Sequence, residues 1–210
     1  MPWEVMRGDK LYKKSPSRKR DITTLVYIDF AKKPGGASGL ERFEFDVKSY
    51  EIPKNPANPN YPTDDDIAAV ITSLNNRNVP ANLIGPTSIT GSPLALTLLT
   101  GKIHEIIFYL AVENWKFQPP AFEFKLDDAN ETNKYGRFHR FWGLRWFSHR
   151  TLLDLNNNRR YNGGIRLHYD CRKYRGQNHK VDYAFNLLIN IFQSGGKTPI
   201  IIDPIIRNDP

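Results

Sequence analysis

Residues Ile103–Val112 read IHEIIFYLAV, and a run this apolar does not show the wet-face alternation of a surface strand. It predicts a strand covered on both faces. The segments around it alternate instead. In RFEFDVKSYEI (42–52), Phe43, Phe45 and Val47 are separated by charged residues, the period of two that marks a strand with one wet face. TTLVYIDF (23–30) is rich in β-branched and aromatic residues, and FEFKL (122–126) alternates again. In RFHRFWGLRWFS, Phe138, Trp142, Leu144 and Trp146 share one side, with Arg137, His139 and Arg145 on the other and Arg140 breaking the pattern. IRLHYDC places Ile165, Leu167, Tyr169 and Cys171 on one face, and DYAFNLLINIF does the same with Tyr183, Phe185, Leu187, Ile189 and Ile191.

The breaks between these runs have a chemistry of their own. KKPGGASG, Asn162-Gly163-Gly164 and Gly195-Gly196 are turn signals, and PKNPANPNYP places prolines at 53, 56, 59 and 62, which forbids regular structure there. TDDDIAAVITSLNN is the one convincing helix. Thr63 can cap it, Asp64, Asp65 and Asp66 complement the positive end of its dipole, and Ile67, Val70, Ile71 and Leu74 fall on one face. PLALTLLTG (93–101) is short and apolar and fits a buried strand.

About eight to ten strands and one short helix near 64–75, not in alternating order, predict a mainly β protein built as an antiparallel β-sandwich, immunoglobulin-like or jelly roll. The division expected is a basic N-terminal arm over 1–20 and a single sandwich domain over 21–210. In the closing TPIIIDPIIRNDP, Pro199 can start a strand, Ile200 to Ile202 fill it and Pro204 interrupts the ladder, which points to a terminal edge strand.

The net charge of +8 is local. Residues 1–20 carry seven Lys/Arg against Glu4 and Asp9, and residues 159–180 carry seven against Asp170, so the rest of the chain is slightly acidic. KLYKKSPSRKR and RRYNGGIRLHYDCRKYRG therefore stand out as polycations expected to lie outside in water. Tyrosines sit among the arginines of the second, as in surfaces that stack unpaired bases. The candidate nucleic-acid contacts are Lys13, Lys14, Arg18, Lys19 and Arg20, with Arg172, Lys173 and Arg175 as a second patch.

Other site chemistries find little support. Cys171 is the one cysteine, so no internal disulfide forms, and its place among apolar partners makes it a small core hydrophobe. His168 and Cys171 are three apart on a strand and point to opposite faces, so they share no zinc unless a bulge intervenes. Asp154-Leu155-Asn156-Asn157-Asn158 begins like a calcium loop but has Arg159 and Ile165 where glycine and glutamate are needed. No nucleophile elbow or phosphate loop occurs, so no catalytic residue, metal or cofactor is assigned. No secretory leader and no run of about 18 apolar residues is present, which reads as soluble and intracellular.

LLDLNNN, VDYAFNLLINI, the glycine turn and IIIDPIIRNDP, together with NWKFQPPAFEF (114–124), resemble the C-terminal strands and tryptophan strand of the DP-EP-like group of small bacterial β-sandwich proteins of unknown function. The resemblance implies an immunoglobulin-like sandwich and no activity. The basic arm and the cationic insertion between Asn158 and Lys180 depart from it.

The expected function is a non-enzymatic binding or assembly module that makes protein contacts, with a partner or with its own copies, through loops and edge strands. The alternative is a nucleic-acid-binding or capsid-like structural protein using the basic arm. A second alternative is an enzyme acting on an anionic or carbohydrate substrate, its site assembled from Arg137, Arg145 and distant residues and visible as a deep cleft.

Overall fold

A computed structural model describes residues 5–7, 20–33, 42–54, 62–89, 94–99, 101–125, 141–154, 159–170, 183–193, 196–202 and 204–209. Among them are twelve strands and one helix: β1 (Val5–Arg7), β2 (Ile22–Lys33), β3 (Arg42–Ile52), α1 (Asp64–Asn75), β4 (Ile84–Ile89), β5 (Leu94–Leu99), β6 (Ile103–Leu110), β7 (Trp115–Lys125), β8 (Phe141–Asp154), β9 (Arg159–Asp170), β10 (Tyr183–Gln193), β11 (Gly196–Ile202) and β12 (Pro204–Asp209). The protein is mainly β with two sheets, consistent with a β-sandwich. The large sheet runs β4-β3-β2-β6-β9-β7-β10, with β8 on β9, β1 on β7 and β11 on β10. The small one consists of β5, β12 and the start of β10. Pairing is mostly antiparallel, but β2 with β6 and β12 with β5 are parallel.

The two-sided burial expected of Ile103–Leu110 is observed: every residue of β6 is buried. Its alternation feeds two different cores. Ile106, Phe108 and Leu110 join Val26, Ile28, Val47, Ile165, Leu167, Tyr169, Phe185 and Ile189 in the larger cluster, with Leu96 and Leu98 of the second sheet. Phe122 and Phe185 stack there with ring centroids 4.5 Å apart. Ile107 and Tyr109 face the other way, onto Leu25, Tyr50, Ile52 and the apolar stripe of α1, Ile67, Val70, Ile71 and Leu74. The helix, not a second sheet, covers that side.

α1 begins where its capping chemistry requires. The Thr63 hydroxyl accepts from the Asp66 amide while the Asp66 carboxylate accepts from the Thr63 amide at 2.8 Å, a reciprocal box that satisfies two end donors. These bonds hold the Asp66 carboxyl below its ordinary value of 3.8, the backbone bond from Thr63 contributing most.

Several expectations need correction. The C-terminal tail is two strands rather than one interrupted strand. β11 lies antiparallel on β10, whereas β12, opened by Pro204, sits in the second sheet between β10 and β5. β11 is the edge strand, with β10 as its sole ladder partner among the described residues. In β8, Leu144 is buried as expected and Trp146 partly so, but Phe147 is buried too. Register shifts between Trp142 and Arg145 and between Phe147 and Thr151 re-aim that strand.

The largest correction concerns charge. Arg20 and Arg166 fold inward onto Glu105 of β6, which has no exposed surface. Arg20 Nη1 donates to Glu105 Oε2 at 2.5 Å, and Arg166 Nη1 donates to Oε1 at 3.2 Å. The Thr23 hydroxyl also reaches Oε2, at 3.4 Å, and His168 Nε2 lies 3.9 Å from Oε1. The second Nη of Arg166 reaches Asp64 at the start of α1, and that of Arg20 reaches the Pro62 carbonyl. Arg166 also lies over the Phe147 ring, 5.5 Å from its centroid. Nor is the N-terminal arm wholly external, because Val5–Arg7 pairs with β7.

A buried carboxylate is tolerable only with such partners, and removing it strands two cations. Glu105→Ala is expected to cost about 3–5 kcal/mol of folding stability. Thr63→Ala, which removes the cap, is expected to cost about 1 kcal/mol. Urea unfolding checks both: equal losses, or none for Glu105→Ala, would contradict an ionic hub at Glu105.

Candidate functional site

The residues singled out by charge do not converge on a visible site. Lys13, Lys14, Arg18, Lys19, Arg172, Lys173 and Arg175 lie outside the described residues, as do Cys171, Arg137 and the Asn156–Asn158 loop. Arg20, the one described candidate for nucleic-acid contact, is 20% exposed and committed to Glu105, so it is not a free surface cation. Arg145 lies in β8 opposite Arg166. Among the described residues no three His, Cys, Asp or Glu side chains are grouped so as to hold a metal ion.

The site that does form follows from a mismatch of lengths. α1 has twelve residues and so spans ~18 Å. β2 also has twelve, but extended, and spans ~40 Å. The helix therefore covers only part of the sheet face beneath it. The register arranges that face in rows. Thr23 of β2 is flanked by Ile52 and Glu105, Leu25 by Tyr50 and Ile107, and Tyr27 by Lys48 and Tyr109, while Asp29 lies opposite Asp46. α1 starts above the Glu105 row and stops at Asn75, whose Oδ1 accepts from the Tyr27 hydroxyl at 2.8 Å. Past that point the sheet face lies open.

There a pocket of about 670 Å³ is lined by Tyr27, Asp29, Asp46, Lys48, Tyr50, Leu74, Asn75, Arg77, Val79, Ala111 and Glu113. The strands supply its floor, the helix exit supplies one wall, and the turn after β6 contributes Ala111 and Glu113. The volume suits a small molecule, and the converging polar groups are of the kind that orient one. Lys48 Nζ lies 2.6 Å from Asp46 Oδ2, both side chains being partly exposed. That hydrogen bond raises the Lys48 amine above its ordinary 10.5, assisted by the fields of Asp46 and Asp29. Burial is the main cause that raises the Tyr50 phenol above 10.0.

Arg77 enters by an unusual route. After the cap residue Asn76, the Arg77 amide donates to the Leu74 carbonyl and the Asn78 amide to the Ser73 carbonyl, the paired bonds of a Schellman ending. That ending needs a left-handed residue, usually glycine, and Arg77 supplies it at φ 61°. A side chain there costs about 1 kcal/mol relative to glycine. The fold carries that strain with a guanidinium at the pocket rim, and strained backbone of this kind gathers at binding sites.

Sequence patterns hold a partial signal for this pocket. Asp46 and Lys48 were legible as the wet side of β3, but nothing local told that Asp29 would lie across from Asp46, or that Arg77 would end the helix left-handed. Glu105 was the overlooked charge within an apolar run, and that position was itself the clue to a buried ionic hub.

No family model matches the chain, and no curated protein matches it. What the site can do follows from its geometry.

Two outcomes are expected. Arg77→Gly should raise stability by about 0.5–1 kcal/mol in urea unfolding; a loss would contradict the left-handed ending. Alkaline titration tests the floor. Folding favours the protonated forms of Lys48 and Tyr50, so their stabilisation is complete below pH 10 and declines as pH rises through the raised folded values. Absorbance at the tyrosinate band should show one tyrosine fewer titrating late in Tyr50→Phe, and an unchanged profile would contradict it.

Proposed function

We propose that the protein is a non-enzymatic β-sandwich binding module and that the pocket beyond the helix exit takes a small polar molecule. The observation that supports this is the convergence of five charged residues, two tyrosines and Asn75 around about 670 Å³ on a rigid sheet. Lys48 engages Asp46, and among the described residues no His lines the cavity, so this lining is more that of a site that orients a ligand than of an acid and base pair acting on one. No helix among the described residues is long and apolar enough to cross a membrane.

A protein-contact role has its own support in the open edges. Ile84 at the start of β4 is 58% exposed and Ile201 on β11 is 62% exposed, each on a strand at a sheet margin. Lys197 and Pro199 guard the first half of β11 against pairing, which leaves Ile200–Ile202 as the receptive part.

The pocket reading is tested by filling it. Small molecules released from purified protein, or fractions of a cell extract, should raise the melting temperature of the natural chain and leave Ala111→Phe unmoved. Equal shifts in both proteins, or none in either, would refute it. For the edge, sedimentation of Ile201→Lys should show less association than the natural chain, and identical profiles would remove β11 from the contact.

A further inference from the structure

The charges of the pocket are matched within its own lining. Asp46 and Lys48 are two apart on β3 and so share a face, and Lys48 Nζ donates to Asp46 Oδ2 at 2.6 Å. Asp29, across the ladder from Asp46, has an interaction of its own. Arg77 and Glu113, both exposed, add a guanidinium and a carboxylate to the same cavity. The Tyr27 hydroxyl is likewise committed, donating to Asn75 Oδ1 at 2.8 Å.

An ionic ligand is poorly served by such a lining. An ammonium has to compete with Lys48 for Asp46, and a carboxylate or phosphate has to compete with Asp46 for Lys48. What a matched pair retains is hydrogen-bonding capacity. A carboxylate accepts several bonds and an ammonium donates several, while the bond between Asp46 and Lys48 uses a single site on each. Both side chains are partly exposed and line the cavity, where the remaining sites are available.

The lining therefore sets groups that accept and cannot donate beside groups that donate and cannot accept. A hydroxyl answers both, because it is donor and acceptor at once and leaves the ion pair in place. Apolar surface lies among these polar groups, from Tyr27, Leu74, Ala111 and Val79, the last 51% exposed. A sugar ring combines the two features, with hydroxyls around its rim and CH groups on its faces. We propose that the pocket binds a neutral sugar, its hydroxyls bridging Asp46 to Lys48 and Glu113 to Arg77. This rests on the pocket being a binding site, and it names the ligand class. The volume, about 670 Å³, falls in the range of small-molecule sites and admits more than a single ring.

The test uses the full chain labelled with nitrogen-15. The neutral probes are the methyl glycosides of glucose, galactose, mannose and N-acetylglucosamine; glucosamine, glucuronate and adenosine are the contrasts. At least one neutral sugar should move the amide signals of Tyr27, Asn75 and Ala111 saturably, and glucosamine and glucuronate should bind about tenfold more weakly than it does. Ala111→Phe should abolish the response. Lys48→Met and, independently, Arg77→Gly, which the turn accommodates, should each weaken binding about tenfold by removing donors. The double variant Asp46→Asn, Lys48→Gln keeps a donor beside an acceptor without charge, and should bind within about threefold of the natural chain.

A charged sugar or adenosine binding as well as the best neutral sugar would overturn the proposal. So would sugar binding indifferent to both Lys48→Met and Arg77→Gly, or a double variant as weak as Lys48→Met. If no sugar moves the pocket signals while extract fractions still stabilise the natural chain and not Ala111→Phe, the sugar alone falls. If both experiments are silent, the binding site falls with it.

Discussion

Glu105 has no contact with water, and its two oxygens are met by two arginines that come from distant parts of the chain. A carboxylate in the middle of a sheet is stable only because those cations neutralise it and hydrogen-bond it. The same arginines reach outward, Arg166 to Asp64 and Arg20 to the Pro62 carbonyl, so the hub ties the beginning of α1 to the sheet. Once that end of the helix is pinned above the Glu105 row, its length decides where cover stops.

Everything distinctive about the candidate site follows from that stop. The covered row of Leu25, Tyr50 and Ile107 lies under the apolar stripe of the helix. The row of Tyr27, Lys48 and Tyr109 marks the boundary, and the row beyond it holds Asp29 and Asp46. Asn75 closes the boundary by bonding Tyr27, and Arg77, in a conformation that glycine adopts more easily, sets a cation over the opening. One sheet face thus serves as core at one end and as the floor of an open pocket at the other.

The opposite face of the sheet has a different task. Phe108, Phe122, Phe185 and their aliphatic neighbours fill the space toward β5 and β12. Packing of this density fixes the positions of β2, β3 and β6 from behind, which is what a preorganised pocket floor requires. The larger core and the pocket are therefore the two sides of the same strands.

The mainly β class, the helix over 64–75 and its capping, and the inward faces of β9 and β10 were all determined by local sequence. Period-two alternation, proline and glycine punctuation and a capped apolar stripe act over a few residues, and no distant partner is needed to express them. The direction in which Arg20 and Arg166 point, the pairing of Asp29 with Asp46, the division of the tail between two sheets and the left-handed turn at Arg77 were decided only by tertiary structure. Each depends on a register or a burial that joins residues far apart in the chain, and a charge on a strand reads the same locally whether water or a buried carboxylate awaits it.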